Sequence, residues 1–300
     1  MSSQHTSNLP TNVSVETNTW TGSGEGRFNE DYALATPEHG CAILVDGATG
    51  LTKVNLVAGE SDASWYARHL SRSILAHLDT SPGLDHARVT EALVAAGAEV
   101  ADAYRRFPGA RDLERIDDPN GSVVVLSWDD TSVLVTLLGD CTAVVGLRDQ
   151  TCHELHDSTL TLLDDENYER MYAYATENGT TMAQARRALN PRFIENRLKM
   201  NEPGGYWAAD ISCRGMTHAT TSVFPARDVS WLLACSDGYA AAVDMGVVPD
   251  ACELGRQVAA GQGQKIGELL RVAEREDAGC WRVHRSKTSD DATYLLLSFA

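Results

Sequence analysis

Cys41-Ala42-Ile43-Leu44-Val45-Asp46-Gly47 is the stretch that decides how this chain is read. Five apolar residues in a row read as a buried strand, and the run ends on an acid. A carboxylate at the mouth of a buried strand is costly unless something neutralises it. The pattern recurs in Trp231-Leu232-Leu233-Ala234-Cys235-Ser236-Asp237-Gly238. It recurs reversed in Asp290-Asp291-Ala292-Thr293 before Tyr294-Leu295-Leu296-Leu297, while Asn29-Glu30-Asp31 opens into Tyr32-Ala33-Leu34-Ala35. Four acidic segments beside strands suggest one shared neutraliser, and a hard divalent cation is the simplest.

Working outward, period-two alternation from Val13 predicts a strand, and 21–26 is a glycine-rich turn. Strands are expected at 32–36, 41–45, 122–128, 132–138, 142–147, 229–235 and 292–298. Apolar residues at helical spacing predict long helices over 61–78 and 85–107, and further helices over 238–243, 251–260 and 265–276. Strands, two helices, more strands, more helices and a last strand make a layered α+β pattern with strands mostly in hairpin order. Residues 1–12 read as a disordered tail and 13–300 as one domain. Within it, 157–226 is polar and the least regular part, with short helices at 166–177 and 182–189, a break at Asn190-Pro191 and a further helix at 193–200. It reads as a flap or insertion.

The formal net charge of -17 excludes a nucleic-acid partner, which needs a basic face, and argues equally against anionic membranes. No stretch is apolar over the length a bilayer demands, and the N-terminus lacks the basic head and apolar core of a signal peptide, so a cytoplasmic protein is expected. Seven cysteines stand at 41, 141, 152, 213, 235, 252 and 280, none at redox or metal-binding spacing, and read as small core residues in a reducing compartment. The histidines show no ligand spacing.

The acids suit a two-metal hydrolytic site. Two divalent ions roughly 3.5–4 Å apart hold a bridging water as nucleophile and clamp a phosphoryl group. Glycines beside Asp46 and Asp237 let backbone approach an ion closely. All-oxygen donors select manganese or magnesium. Taken singly each acid is unremarkable: Asp46 and Asp237 read equally as turn residues, Asp290 as a partner of Lys287, Asp140 as a hairpin-turn residue, and Asp291 as facing solvent or supporting Asp290.

In order and spacing, Asn29-Glu30-Asp31, Val45-Asp46-Gly47, Gly121-Ser122, Gly139-Asp140, Ser236-Asp237-Gly238 and Asp290-Asp291-Ala292-Thr293 resemble the motifs of the metal-dependent type 2C (PPM) protein phosphatases, bacterial members above all. The resemblance runs from about Trp20 to the C-terminus. It implies a four-layer α/β/β/α sandwich, a central antiparallel β-sandwich flanked by helix pairs. It also implies hydrolysis of phosphoserine and phosphothreonine in a phosphoprotein that a Ser/Thr kinase supplies. By the resemblance Asp46 bridges both ions, Asp237 and Asp290 bind one, Glu30 and the Gly47 carbonyl bind the other, and Asp31 orients metal-bound water. Asp140 matches a ligand of a third, weakly held ion. The family's phosphate-binding arginine falls at Gly26, with Arg27 next to it. Ala48 stands where many relatives have a histidine, and Ala241 where many have a third-metal aspartate. These departures leave a second reading, a catalytically weak or inactive relative that acts as a binding or regulatory module.

Overall fold

The strand that ends near Asp46 is β3 (Cys41–Ala48), and its apolar run is continuous because both of its faces are covered. Cys41, Ile43 and Val45 point to one hydrophobic cluster; Ala42 and Leu44 point to another. Alternate side chains of one strand thus serve two cores. The structure is a computed structural model that describes residues 13–23, 27–52, 54–79 and 85–300. The expected tail over 1–12 and Gly26 lie outside those residues.

β3 sits inside an antiparallel sheet ordered β2 (Asp31–Thr36), β3, β4 (Asn120–Trp128), β5 (Ser132–Leu138), β9 (Thr220–Pro225), with β8 (Ala209–Asp210) paired to the start of β4. The second sheet runs β1 (Val13–Trp20), β11 (Ala292–Phe299), β10 (Val229–Cys235), β6 (Thr142–Leu147), β7 (Cys152–Leu155). The two sheets pack on each other through Leu44, Val124, Leu126, Val145, Leu232 and Leu297. Helices α1 (Asp62–Asp79) and α2 (His86–Tyr104) cover the first sheet through Tyr66, Leu70, Leu93 and Tyr104. On the other side α6 (Asp237–Ala240), α7 (Ala251–Gln257) and α8 (Gly263–Glu276) cover the second sheet through Tyr239, Leu254 and Leu270. The result is the four-layer α/β/β/α sandwich. Strands from the two ends of the chain, β1 and β11, pair over their full lengths, from Val13↔Phe299 to Trp20↔Ala292.

The segment 157–226 is more regular than its polar sequence implies. Its first helix, α3 (Ser158–Asn178), starts eight residues before the expected 166, where the Asp157 side chain accepts from Thr159 N, and stops at Gly179 with φ of 61°. Asn190-Pro191 is not a break. It starts α5 (Asn190–Arg197), because a proline in the first helical turn gives up no needed N–H. Between them α4 (Met182–Ala188) begins with a reciprocal capping box of Thr181 and Gln184. Met171, Ala175, Met182, Ala185 and Cys280 form a small separate core beneath these helices. The same segment also supplies β9, an edge strand whose polar, half-exposed residues gave no strand signal. The helix expected over 238–243 is the single turn α6, Asp237–Ala240.

The cysteine reading needs correction. Cys152 on β7 and Cys252 on α7 are joined by a disulfide with Cα atoms 5.9 Å apart. They lie 100 residues apart in sequence, so spacing cannot reveal the pair; it exists because α7 packs beside the edge strand β7. Among the described residues no helix is long and apolar enough to cross a membrane.

Candidate metal centre

Register brings the acids together before any side chain is placed. Asp31 faces Asp46 across β2 and β3, and Asp46 faces Ser122 across β3 and β4. Asp237 begins α6 directly after β10, and Asp290 and Asp291 precede β11, the neighbour of β10. All these strand ends open at one edge of the sandwich. There a cavity of about 330 Å³ is lined by Arg27, Glu30, Asp46, Gly47, Asp140, Asp237 and Asp290. Asp31 is not at the wall. Its Oδ2 accepts from Ser236 Oγ at 2.9 Å, and Ser236 Oγ in turn accepts from Thr293 N at 2.9 Å.

The glycines beside the acids are required sterically. A Cβ on Gly47 would lie 2.6 Å from the Glu30 carbonyl oxygen and 2.9 Å from that of Ala63. The Gly47 N–H donates to that same Glu30 carbonyl at 3.1 Å, which locks Glu30 beside Asp46. Gly139, at φ of 92°, makes the turn that presents Asp140, whose Oδ1 accepts from Ser122 Oγ at 2.5 Å.

The electrostatics are those of crowded carboxylates. Burial and then the charges of Asp31, Asp237, Asp290 and Asp140 push the Asp46 carboxyl well above its ordinary range. Asp31 is pushed up to about 7, chiefly by burial, with Asp291 and Asp290 adding to it and hydrogen bonds from Thr293 and Ser236 opposing. Burial, then Asp290 and Asp140, also raise Asp237. Asp237 is exposed at the cavity wall, where the like charges of Asp290 and Asp140 act on it. Asp290 behaves oppositely. Burial works to raise it, but Lys287 and then Arg27 outweigh that and hold it below its ordinary value. Lys287 Nζ sits on Asp290 Oδ2, and Arg27 Nη2 lies 3.3 Å from Asp290 Oδ1.

A hard cation fits this donor set in kind. The donors are all oxygens, burial and neighbouring carboxylates drive Asp46, Asp31 and Asp237 toward neutrality, and Asp31 Oδ1 is buried with no hydrogen-bond partner among the described residues. The arrangement is not a closed cage: among the described residues no group of three or more His, Cys, Asp or Glu side chains converges as a metal site. Glu30 is engaged by the Thr49 hydroxyl and Asp290 by Lys287 and Arg27. Residues near the Ala241 position are Asp140, Asp237 and Asp244, which line a neighbouring cavity of about 700 Å³ together with Asp164 of α3.

Three contributions escaped the sequence. Asp291 is neither exposed nor merely a support for Asp290: at 3 % exposure it accepts from Gly22 N at 2.7 Å and from Glu30 N at 2.9 Å. Ser236 stands out in sequence only as part of its motif, yet it holds Asp31. The helices α3 to α5 bring Asp164, Tyr168, Arg186, Phe193 and Arg197 to the same cavity. Asp291 is visible as the second acid of its motif; for the residues of α3 to α5 no local signal exists.

Bacterial phosphatases are among the solved structures that share this architecture. Stp1 from Staphylococcus aureus, a serine/threonine phosphatase, superposes with a TM-score of 0.56 at 12% identity, over 98% of this chain and 97% of its own. The chain has the fold of the bacterial serine/threonine phosphatases. The catalytic domain of the phosphatase PstP, solved with two manganese ions, gives 0.52 at 15% identity, covering 95% of this chain and 97% of that one. PppA, a regulatory component of type VI secretion in Pseudomonas aeruginosa, gives 0.52 at 14%, covering 97% and 98%. No protein-family model matches the sequence, and no curated protein is similar to it. The likeness to these neighbours is therefore one of fold, at 12–15% sequence identity.

Proposed function

We propose that this chain is a metal-dependent phosphoprotein phosphatase that hydrolyses phosphoserine and phosphothreonine. The observation that carries the reading is that Asp46, Asp237, Asp290 and Glu30 line one cavity of a phosphatase fold, with Asp31 Oδ1 buried and, among the described residues, without a partner behind them. In this reading Asp46 would bridge two manganese or magnesium ions, Asp237 and Asp290 would complete one, and Glu30 with the Gly47 carbonyl would complete the other. Asp140 would hold at most a weak third. Such ions, when bound, would supply charge neutralisation for the carboxylates and Lewis-acid activation of water.

The chain's own residues do the rest. Asp31, held by Ser236, orients water on the floor of the site. Arg27 adds positive charge at the cavity wall, in the place where the substrate phosphate arrives. With Ala48 in place of a histidine, solvent returns the proton to the leaving alkoxide. The partners are a phosphoprotein and the Ser/Thr kinase that supplies it. The compartment proposed is the cytoplasm, against which the Cys152–Cys252 bond stands as the contrary feature.

The second reading, a weak or inactive relative, is favoured by one observation. Lys287 and Arg27 already neutralise Asp290, so a cation of the chain occupies part of the role an ion would take. One experiment separates the two. Purified protein is assayed on para-nitrophenyl phosphate and a phosphothreonine peptide with manganese, with magnesium and after chelation. We expect activity that needs metal, and at least a ~100-fold loss of turnover in Asp46→Asn, the scale of losing a key electrostatic group. Turnover that survives chelation, or a folded Asp46→Asn at wild-type rate, sinks the proposal; a metal-binding but inert wild type supports the second reading.

A further inference from the structure

Asp290 is held differently at its two oxygens. Oδ1 accepts from the Asp291 N–H at 2.9 Å and from Arg27 Nη2 at 3.3 Å, so the backbone fixes it. Among the described residues, Oδ2 is engaged by the Lys287 ammonium alone. The chain thus sets its own cation on the one Asp290 oxygen that the backbone does not use, and both residues line the cavity of the metal centre.

The Lys287 side chain can move while its backbone stays. It lies in the loop between α8 and β11, which is tied down on both sides of it. Before it, the N–H groups of Trp281, Arg282 and Val283 all donate to the Asp277 carboxylate, and the Arg285 guanidinium donates there too. After it, Thr288 Oγ1 donates to the Ala278 carbonyl at 3.1 Å, and Ser289 Oγ accepts from Ser23 N at 2.7 Å. The side chain itself is 47 % exposed, on a flexible four-carbon stem. A second berth is close. Lys287 also lines the neighbouring cavity of about 700 Å³ together with Asp164. Asp164 feels the Lys287 charge and has no ion pair among the described residues.

We propose that Lys287 is a tethered competitor of the ion assigned to Asp237 and Asp290. That ion gains Asp290 Oδ2 only as the ammonium withdraws toward Asp164, so the chain holds its metal affinity below what its carboxylates alone would give. This rests on the metal-dependent reading above and adds a regulation to it: the site fills only when free metal is high enough to displace the lysine. The sign of the effect is diagnostic. A lysine that merely keeps Asp290 in position would weaken metal binding when lost, whereas loss of a competitor strengthens it.

The test measures manganese binding by calorimetry for wild type, Lys287→Met and Arg282→Met. Sparing the ion a hydrogen bond between charged groups predicts that Lys287→Met binds one of its two ions about 10- to 100-fold more tightly. Arg282 is in the same loop and makes no ion pair with Asp290. Arg282→Met removes an equal charge and should change the affinity by less than about threefold, as expected of a screened charge. Manganese affinity that is unchanged or lower in Lys287→Met overturns the proposal, as does an equal gain in Arg282→Met or a wild type that binds no manganese. Should Lys287→Met fail to fold, wild-type protein with 13C-methylated lysines is titrated with magnesium. Lysines stand only at 53, 199, 265 and 287, and the Lys287 signal is the one absent from Lys287→Arg. It should move in step with magnesium binding, and a signal that stays still overturns the proposal. Tighter manganese binding in Lys287→Met, in a protein that turns over no ester, leaves this inference standing and defeats the phosphatase reading. Metal-dependent turnover with wild-type manganese affinity in Lys287→Met does the reverse.

Discussion

Replacing Asp291 by alanine should be among the most damaging single changes outside the metal ligands. The carboxylate is 3 % exposed and accepts two backbone bonds, from Gly22 N at 2.7 Å and from Glu30 N at 2.9 Å. It thereby ties the end of β1 and the entry to β2 to the start of β11. Alanine removes both acceptors and leaves two N–H groups with nothing in reach. Bonds to a charged acceptor are worth roughly 1.5–3 kcal/mol each, so the two sum to about 3–6 kcal/mol. Water entering the space of the lost carboxylate recovers part, which leaves about 3–4 kcal/mol. Asparagine keeps one acceptor oxygen but turns an amide NH2 against the other donor, and should cost about 2 kcal/mol. Arg27, 4.0 Å away, adds little. Equilibrium urea denaturation of metal-free protein reads this as a lower midpoint at unchanged slope. Because Glu30 loses its anchor, manganese affinity should fall as well, although Asp291 touches no ion in the proposed site. An Asp291→Ala protein destabilised by less than about 1 kcal/mol would show that these two bonds are not what holds the Glu30 entry in place.

Two further outcomes are expected. Burial works to raise the Asp277 carboxyl, but the N–H groups of Arg282, Val283 and Trp281 and the Arg285 guanidinium outweigh it and hold it at about 2; a depressed acid stabilises fully above its unfolded value near 3.8 and loses that contribution as pH falls through about 2, so between pH 4 and pH 2 the urea midpoint should fall more steeply in wild type than in Asp277→Asn. Denatured protein without reductant should show five reactive thiols of seven, and Cys152→Ser, which opens a loop of 100 residues, should cost about 3–5 kcal/mol, whereas seven thiols would mean that the Cys152–Cys252 bond does not form.

Much of this molecule is legible in the chain because its decisive signals are local. β3 is found from its own residues: a strand buried on both faces must be apolar throughout, and Cys41 to Val45 is. The acids at its mouth are conspicuous for the same reason, since Asp46 and Asp237 break apolar runs where only a strand end can tolerate charge. The order α1, α2 and then more strands follows from periodicity that each segment carries by itself. Edge elements are harder. β7 and β9 expose one side to solvent, so their polar residues give no alternation to read, and the first turns of α3 carry no helical stripe because only Asn167, Met171 and Ala175 of the helix are buried.

What only the tertiary structure decided is which groups meet. Asp291 was placed at the surface or behind Asp290 because adjacency in sequence says nothing about a backbone 269 residues away, and it is in fact the buried acceptor of Gly22. Lys287 on Asp290 was one of two open readings until the loop before β11 folded back over the site. Cys152 and Cys252 meet because a helix lies beside an edge strand, and Arg197 lines the cavity because α5 packs against α3 and α4 there. Sequence carries burial and periodicity, which are properties of single segments. Charge pairing, unsatisfied donors and disulfides are properties of pairs of atoms, and long-range packing sets the distances between them.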